Sequence, residues 1–172
     1  MEIANLKYAA EGSYPEVTGI RRNCCYAAML QNDYGGYISE TSAVLQYIYQ
    51  HYVVGTFQKD MAKVLKRIAI TEMHHHELLG EMILALGGNP IIISTNHQYW
   101  DGRFLNYTNN LCKMLTADIS AEKQAIANYE RDIRVIKDPR VVEIIVRIIA
   151  DEKVHLATCH ELLQQASQEK YC

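Results

Sequence analysis

Apolar residues recur at spacings of three and four through four long stretches of this chain, which is the period of an amphipathic helix and not the alternation of a strand. The spacing predicts a first long helix from about Tyr37 to Val54, with a short helix before it near Asn23 to Gln31, and a second from about Phe57 to Leu86. Gly87-Gly88 followed by Pro90 stops the second helix. A third long helix ends near Ile136, and Asp138-Pro139, an N-cap followed by proline at the first helical position, opens a fourth that continues to about Ser167. Between the second and third, Asn89 to Tyr107 has no helical period and reads as a crossover connection, with Ile91 to Ser94 as a short strand candidate and Tyr99, Trp100, Phe104 and Tyr107 packing it onto the helices. The expected architecture is all-α, a four-helix bundle over residues 37–168 with a long crossover between its second and third helices, preceded by an N-terminal segment, residues 1–36.

The polar residues that interrupt each stripe carry the chemistry. The first helix gives Glu40, Val44, Tyr47, His51 and Val54; the second gives Val64, Ile68, Glu72, His75, Leu79, Met82 and Leu86. The third gives Leu115, Ile119, Glu122, Ile126, Tyr129, Ile133 and Ile136, and the fourth gives Val141, Ile145, Ile148, Glu152, His155, Cys159 and Leu162. Glu40 and Glu122, like Tyr47 and Tyr129, are offset by 82 residues, and Glu72 and Glu152, like His75 and His155, by 80. The two halves thus read as a duplicated helical hairpin. The repeat also selects His75 from the run His74-His75-His76, because His155 stands opposite His75 and Leu156 opposite His76.

Four glutamates in an apolar core must be neutralised or paired, since an isolated buried carboxylate is strongly destabilising. No lysine or arginine stands near them in these stripes, whereas two divalent ions would balance four carboxylates. A glutamate and the histidine three residues later share one helical face, so each Glu-x-x-His can hold one ion while its carboxylate bridges to the other. Mixed carboxylate and imidazole donors suit iron or manganese better than zinc. Such a pair can exchange two electrons with peroxide or dioxygen, or oxidise ferrous iron. Tyr47 and Tyr129 lie within reach of hydrogen bonds to this centre, and Asp151 is placed to hold the imidazole of His75. His51, His74, His76 and His160 have no repeat partner and default to surface or supporting positions.

With 172 residues, 49% hydrophobic, and a formal charge of -3, the chain is long enough for one self-sufficient core and offers no global attraction to nucleic acid. The five cysteines include no Cys-x-x-Cys pair, which argues against a disulfide framework, and Cys24-Cys25 read as small packing residues. No apolar run approaches the length of about 18 residues needed for a membrane span, and no secretory leader is visible, so a reducing cytoplasm is the expected compartment.

The order Glu40, Glu72-Met73-His74-His75, Glu122, Glu152-Lys153-Val154-His155 resembles the ferritin-like di-iron and di-manganese carboxylate superfamily over residues 37 to 165. The resemblance implies Glu40, Glu72, His75, Glu122, Glu152 and His155 as metal ligands, two iron ions or alternatively two manganese ions as cofactor, and peroxide or dioxygen as substrate. Rubrerythrin-like and bacterioferritin-like proteins are the nearest groups, and Asp33-Tyr34-Gly35-Gly36 is similar to manganese catalases. Rubrerythrins add a second glutamate where this chain has Ala125, and a cysteine-rich domain absent here. Met73 matches the position where bacterioferritins can ligate haem at a dimer interface, but it reads as a packing residue and haem is not expected. The family pairs through its helices, which implies a homodimer; the electron donor is left open. The alternative to a peroxidase, catalase or ferroxidase type of enzyme is a non-enzymatic iron-handling or structural subunit.

Overall fold

A computed structural model describes residues 3, 6–94 and 96–169. Five α-helices follow one another among these residues: α1 (Cys24–Gly35), α2 (Glu40–Val54), α3 (Lys59–Ala85), α4 (Leu111–Val135) and α5 (Pro139–Gln168). The long four pack as two hairpins, α2 on α3 and α4 on α5, with α1 laid against α3. The short helix is longer than the sequence suggests, reaching Gly35, while α2 begins at Glu40 and not near Tyr37. Local capping explains the shift, because the Ser39 hydroxyl accepts from the Ser42 amide and fixes the start of α2 there.

The same logic sets the other ends. Asn110 caps α4 by accepting from Lys113, and Asp138 caps α5 by accepting from Arg140 and Val141, with Pro139 in its first turn. At the end of α3, Gly87 takes φ 90°, and the Gly88 and Gly87 amides return to the carbonyls of Ile83 and Leu84 at 2.8 and 2.9 Å. This is a Schellman stop, and only glycine adopts that backbone cheaply.

Two apolar clusters form the core, one built around Met61, Leu65, Ile68, Met114, Leu115 and Leu162, the other around Leu79, Met82, Ile83, Val141, Ile145 and Ile148. Each takes buried residues from both hairpins, and between them lies a layer of buried carboxylates and imidazoles. The crossover straps across α2: the Trp100 indole N–H donates to Ser42 at 2.9 Å, Gln46 exchanges two hydrogen bonds with Asn106, and the Tyr49 hydroxyl donates to the Tyr107 carbonyl. Trp100 and Phe104 pack inward and the Tyr107 ring, though exposed, meets Tyr49 of α2 edge-on with centroids 5.1 Å apart, whereas Tyr99, exposed as well, does not do the packing expected of it. The strand candidate reduces to one bridge, Ile93 to Tyr99, because the chain turns back at His97, which has φ 57°. Gly35 makes room for this connection, since a Cβ there would stand 2.7 Å from the Ile93 amide nitrogen.

Cys24, Cys25 and Cys159 are free thiols, and Cys112 at the start of α4 is disulfide-bonded. That bond corrects the expectation of an all-thiol set, for cysteine spacing carries no information about a tertiary contact. Cys172 lies outside the described residues. No helix among the described residues is long and apolar enough to cross a membrane.

Asp138 accepts from the Arg21 amide as well as from its own helix, joining the N-terminal segment to α5. Asp138→Ala is expected to lower the free energy of unfolding by about 1 to 2 kcal/mol in a urea titration, with the helical circular-dichroism spectrum unchanged.

Candidate metal centre

Each of the four long helices sends a glutamate into the polar layer, and α3 and α5 each add the histidine one turn later. Glu40, Glu72, His75 and Glu152 each offer one donor atom within 4.8 Å of the others, and so do Glu72, Glu122, Glu152 and His155. Glu72 and Glu152 belong to both groups. All six residues named from the sequence converge here, every one of them buried. Nδ1 of His75 stands 3.2 Å from Glu72, 3.0 Å from Glu152 and 3.7 Å from Glu40, while Nδ1 of His155 is 2.8 Å from Glu72 and 3.3 Å from Glu152. The rings are tilted neighbours with centroids 5.9 Å apart.

The opposite ring nitrogens decide which atoms face the centre. His155 Nε2 is 2.8 Å from the Tyr8 carbonyl oxygen, an acceptor only, so Nε2 carries the hydrogen and Nδ1 faces the carboxylates. His75 Nε2 lies 3.0 Å from Asp151. Asp151 is itself buried and also receives the Tyr14 hydroxyl at 2.6 Å, the Ala10 amide at 2.6 Å and Arg147 at 2.6 Å. Arg147 in turn covers the Tyr14 ring at 4.1 Å and donates to the carbonyls of Ala10 and Gly12. The N-terminal segment therefore closes one side of the centre, a role that no pattern in the chain announces. Its contacts run through backbone groups at Lys7, Tyr8, Ala10 and Gly12, which have no side-chain signature.

The tyrosines act crosswise. The Tyr47 hydroxyl on α2 donates to Glu122 on α4, and the Tyr129 hydroxyl on α4 donates to Glu40 on α2. Tyr47 also lies 3.4 Å from the Cys159 sulfur. Among the buried polar side chains that sequence reasoning missed are Gln50, Asp118 and Asp132, each of which lies beside the predicted stripe, one helical step out of phase. Met73 is 55% exposed on α3, and His76 stacks on Tyr34 with centroids 4.2 Å apart. His74 meets the edge of Tyr14, and the His51 ring nitrogen lies 2.8 Å from the Ala62 carbonyl oxygen.

Electrostatics divide the glutamates into two kinds. Burial pushes the Glu40 and Glu122 carboxyls well above the usual range, and the charges of Glu72 and Glu152 push them further. Burial would also raise Glu72 and Glu152, but the two imidazoles outweigh it and hold both below the usual range. Burial disfavours the charged imidazoles, yet the surrounding carboxylates raise His75 and His155 well above an ordinary histidine. The protein groups alone thus gather protons at the places where a cation would be held. Glu40 Oε2, Glu72 Oε1 and Glu152 Oε1 are buried without a hydrogen bond, although imidazole nitrogens lie nearby. The donor set and these orphaned oxygens fit a pair of divalent cations.

A family model described as the ferritin-like domain matches residues 39–168. The chain belongs to this family. It is 26% identical to a Clostridium acetobutylicum protein described as "Probable manganese catalase", over 87% of this chain and 75% of that protein. Among solved structures it resembles KatB, a manganese catalase from Anabaena, with a TM-score of 0.83 and 24% identity over 92% of this chain and 81% of that one. It also resembles the bacterioferritin of Desulfovibrio desulfuricans, whose structure was described for its diiron site, with a TM-score of 0.68 and 25% identity over 84% of this chain and 81% of the other.

Binding of two divalent ions must displace protons from His75 and His155 at Nδ1 and from Glu40 and Glu122. Manganese loading near neutral pH is therefore expected to release about four protons per chain, and affinity should fall as pH is lowered. Calorimetry in buffers of different ionisation enthalpy measures that number, and a release near zero contradicts the assignment. Asp151→Asn keeps the shape but removes the charge behind His75, and should weaken metal binding by about 10- to 100-fold in a competition titration.

Proposed function

We propose that this protein is a dinuclear metal oxidoreductase that disproportionates hydrogen peroxide, with manganese ahead of iron as the native metal. The observation that carries the reading is the pair of overlapping four-donor groups sharing Glu72 and Glu152. The Clostridium acetobutylicum relative supports the choice of substrate and metal.

On this reading, Glu40, His75, Glu122 and His155 would hold two ions together with Glu72 and Glu152, which belong to both donor groups. Bound there, the pair would supply two-electron exchange with peroxide, one molecule going to dioxygen and a second to water. The chain's own contribution is to orient and to exclude. Tyr47 and Tyr129 fix Glu122 and Glu40 by hydrogen bonds, while Asp151 and the Tyr8 carbonyl fix the two imidazoles. A cavity of about 280 Å³ between α2 and α4 reaches all four glutamates and is covered by Phe104, Leu105 and Asn106 of the crossover. That opening has room for a molecule the size of peroxide.

The second reading, a ferroxidase or an iron-handling subunit, draws support from the resemblance to a bacterioferritin. Metal analysis and two assays separate them. The protein purified from cells grown with manganese and iron is expected to carry about two redox metals per chain and to evolve oxygen from peroxide. Oxidation of added ferrous iron without oxygen evolution from peroxide favours the second reading. A Glu72→Ala, Glu152→Ala double variant should lose both ions and all turnover while staying helical; retention of two ions overturns the ligand assignment.

A further inference from the structure

Asp118 stands in the wall of the cavity that leads to the four glutamates, one helical turn before Glu122 on α4. It is 3% exposed. Gln50 on α2 donates to its Oδ1 at 2.7 Å, but its Oδ2 is buried with no hydrogen-bond partner among the described residues, and so is the Gln50 Oε1. Half-satisfied burial of a carboxyl is destabilising, and here the unsatisfied oxygen belongs to a residue that lines the cavity. The buried acids at the other end of the layer, Asp33 and Asp132, also keep one oxygen each without a partner, but they face one another and Arg131 reaches Asp132 at 3.1 Å. Among the described residues no cation and no second carboxyl pairs with Asp118, and Gln50 is its hydrogen-bond partner.

We propose that Asp118 is a catalytic residue of the access cavity, whose carboxylate takes a proton from peroxide there and returns it to the peroxide that is reduced. This role rests on the peroxide reading above. Oxidation of one peroxide to dioxygen frees two protons and two electrons, and reduction of a second to two waters consumes the same two protons and two electrons. Asp118 carries one of those protons between the halves of the cycle, and cavity water carries the other. A group suited to this work must change protonation near neutral pH. Burial pushes the Asp118 carboxyl up to about 7, with the Gln50 hydrogen bond opposing the shift. The groups that share its surroundings are Tyr47 and Gln50 on α2, Glu122 on α4, Cys159 on α5 and, at the floor, Glu72 on α3; Tyr47 and Cys159 are both held neutral, their pKa values raised by burial first and by the Asp118 charge among other causes. The crossover residues over the cavity, Phe104, Leu105 and Asn106, do not titrate.

The test uses the manganese-loaded protein and its Asp118→Asn and Asp118→Glu variants, with metal content and circular dichroism as controls. Oxygen evolution by the wild-type protein should fall as pH drops through about 7, since the base form is lost below that point. Asp118→Asn should keep two ions, lose at least about tenfold in kcat and lose this inflection, and Asp118→Glu should restore part of the rate. Infrared difference spectra across the same pH range should show a carboxylic C=O band that appears on acidification and is missing in Asp118→Asn. Wild-type turnover with the same rate and pH profile in Asp118→Asn overturns the role of Asp118 alone, as does a wild-type spectrum without the band. No turnover by the fully loaded wild-type protein overturns the peroxide reading and this role with it.

Discussion

Burying four carboxylates in one layer of a helical bundle is the constraint to which the rest of the molecule answers. Each carboxylate by itself would be driven to protonate or to find a cation, and four together repel. The fold meets this with two imidazoles on the same faces as Glu72 and Glu152, with two tyrosine hydroxyls on Glu40 and Glu122, and with an apolar cluster on either side that keeps water from screening the charges. Two divalent cations held there, as proposed, would offset the repulsion that the imidazoles and tyrosines leave, in helices whose remaining inward positions are mostly leucine, isoleucine, valine and methionine.

The duplicated hairpin was legible because that constraint is written at helical spacing. A glutamate or a Glu-x-x-His within an apolar stripe is visible in any one helix, and its recurrence after 80 or 82 residues removes the doubt about phase. The N-terminal segment was not legible, because what it contributes to the centre is largely backbone: the Tyr8 carbonyl for His155, the Lys7 carbonyl for Thr158, and the Ala10 amide for Asp151. The crosswise tyrosines were half legible. Their height along the helix follows from seven-residue spacing, but the choice of partner is set by the antiparallel packing of α2 on α4, which no single helix encodes. Asp118, Asp132 and Gln50 were missed for a third reason: each lies at the edge of its stripe, where a polar residue is read as solvent-facing until the neighbouring helix is in place. Arg147 was missed in the same way, and it is the cation next to Asp151 that the stripes did not reveal.

The repeat is broken where its two halves meet their supports. His75 is backed by a carboxylate that burial would raise, but that His75, Arg147, Tyr14 and the Ala10 amide hold well below its usual range. His155 is backed by a neutral carbonyl. An anion behind an imidazole strengthens its donor nitrogen more than a peptide oxygen does, so the two Glu-x-x-His units are unequal although their inward faces match. The Tyr14 hydroxyl takes part in the same arrangement, its pKa pushed up to about 12 by burial and by Asp151, and so remains a donor at any physiological pH.

This inequality has a direction in the fold. The stronger donor, His75, shares its group with Glu40, whereas His155 shares its group with Glu122, the glutamate one turn from Asp118. Both halves are backed by the N-terminal segment and both reach the cavity, but Asp151 and Arg147 stand behind His75, while Asp118 stands in the cavity wall one turn from Glu122. A cation held by weaker donors keeps more of its charge for whatever enters the cavity. Duplication supplies two matching sets of donors, and the unequal supports around them make the two halves of the layer chemically different.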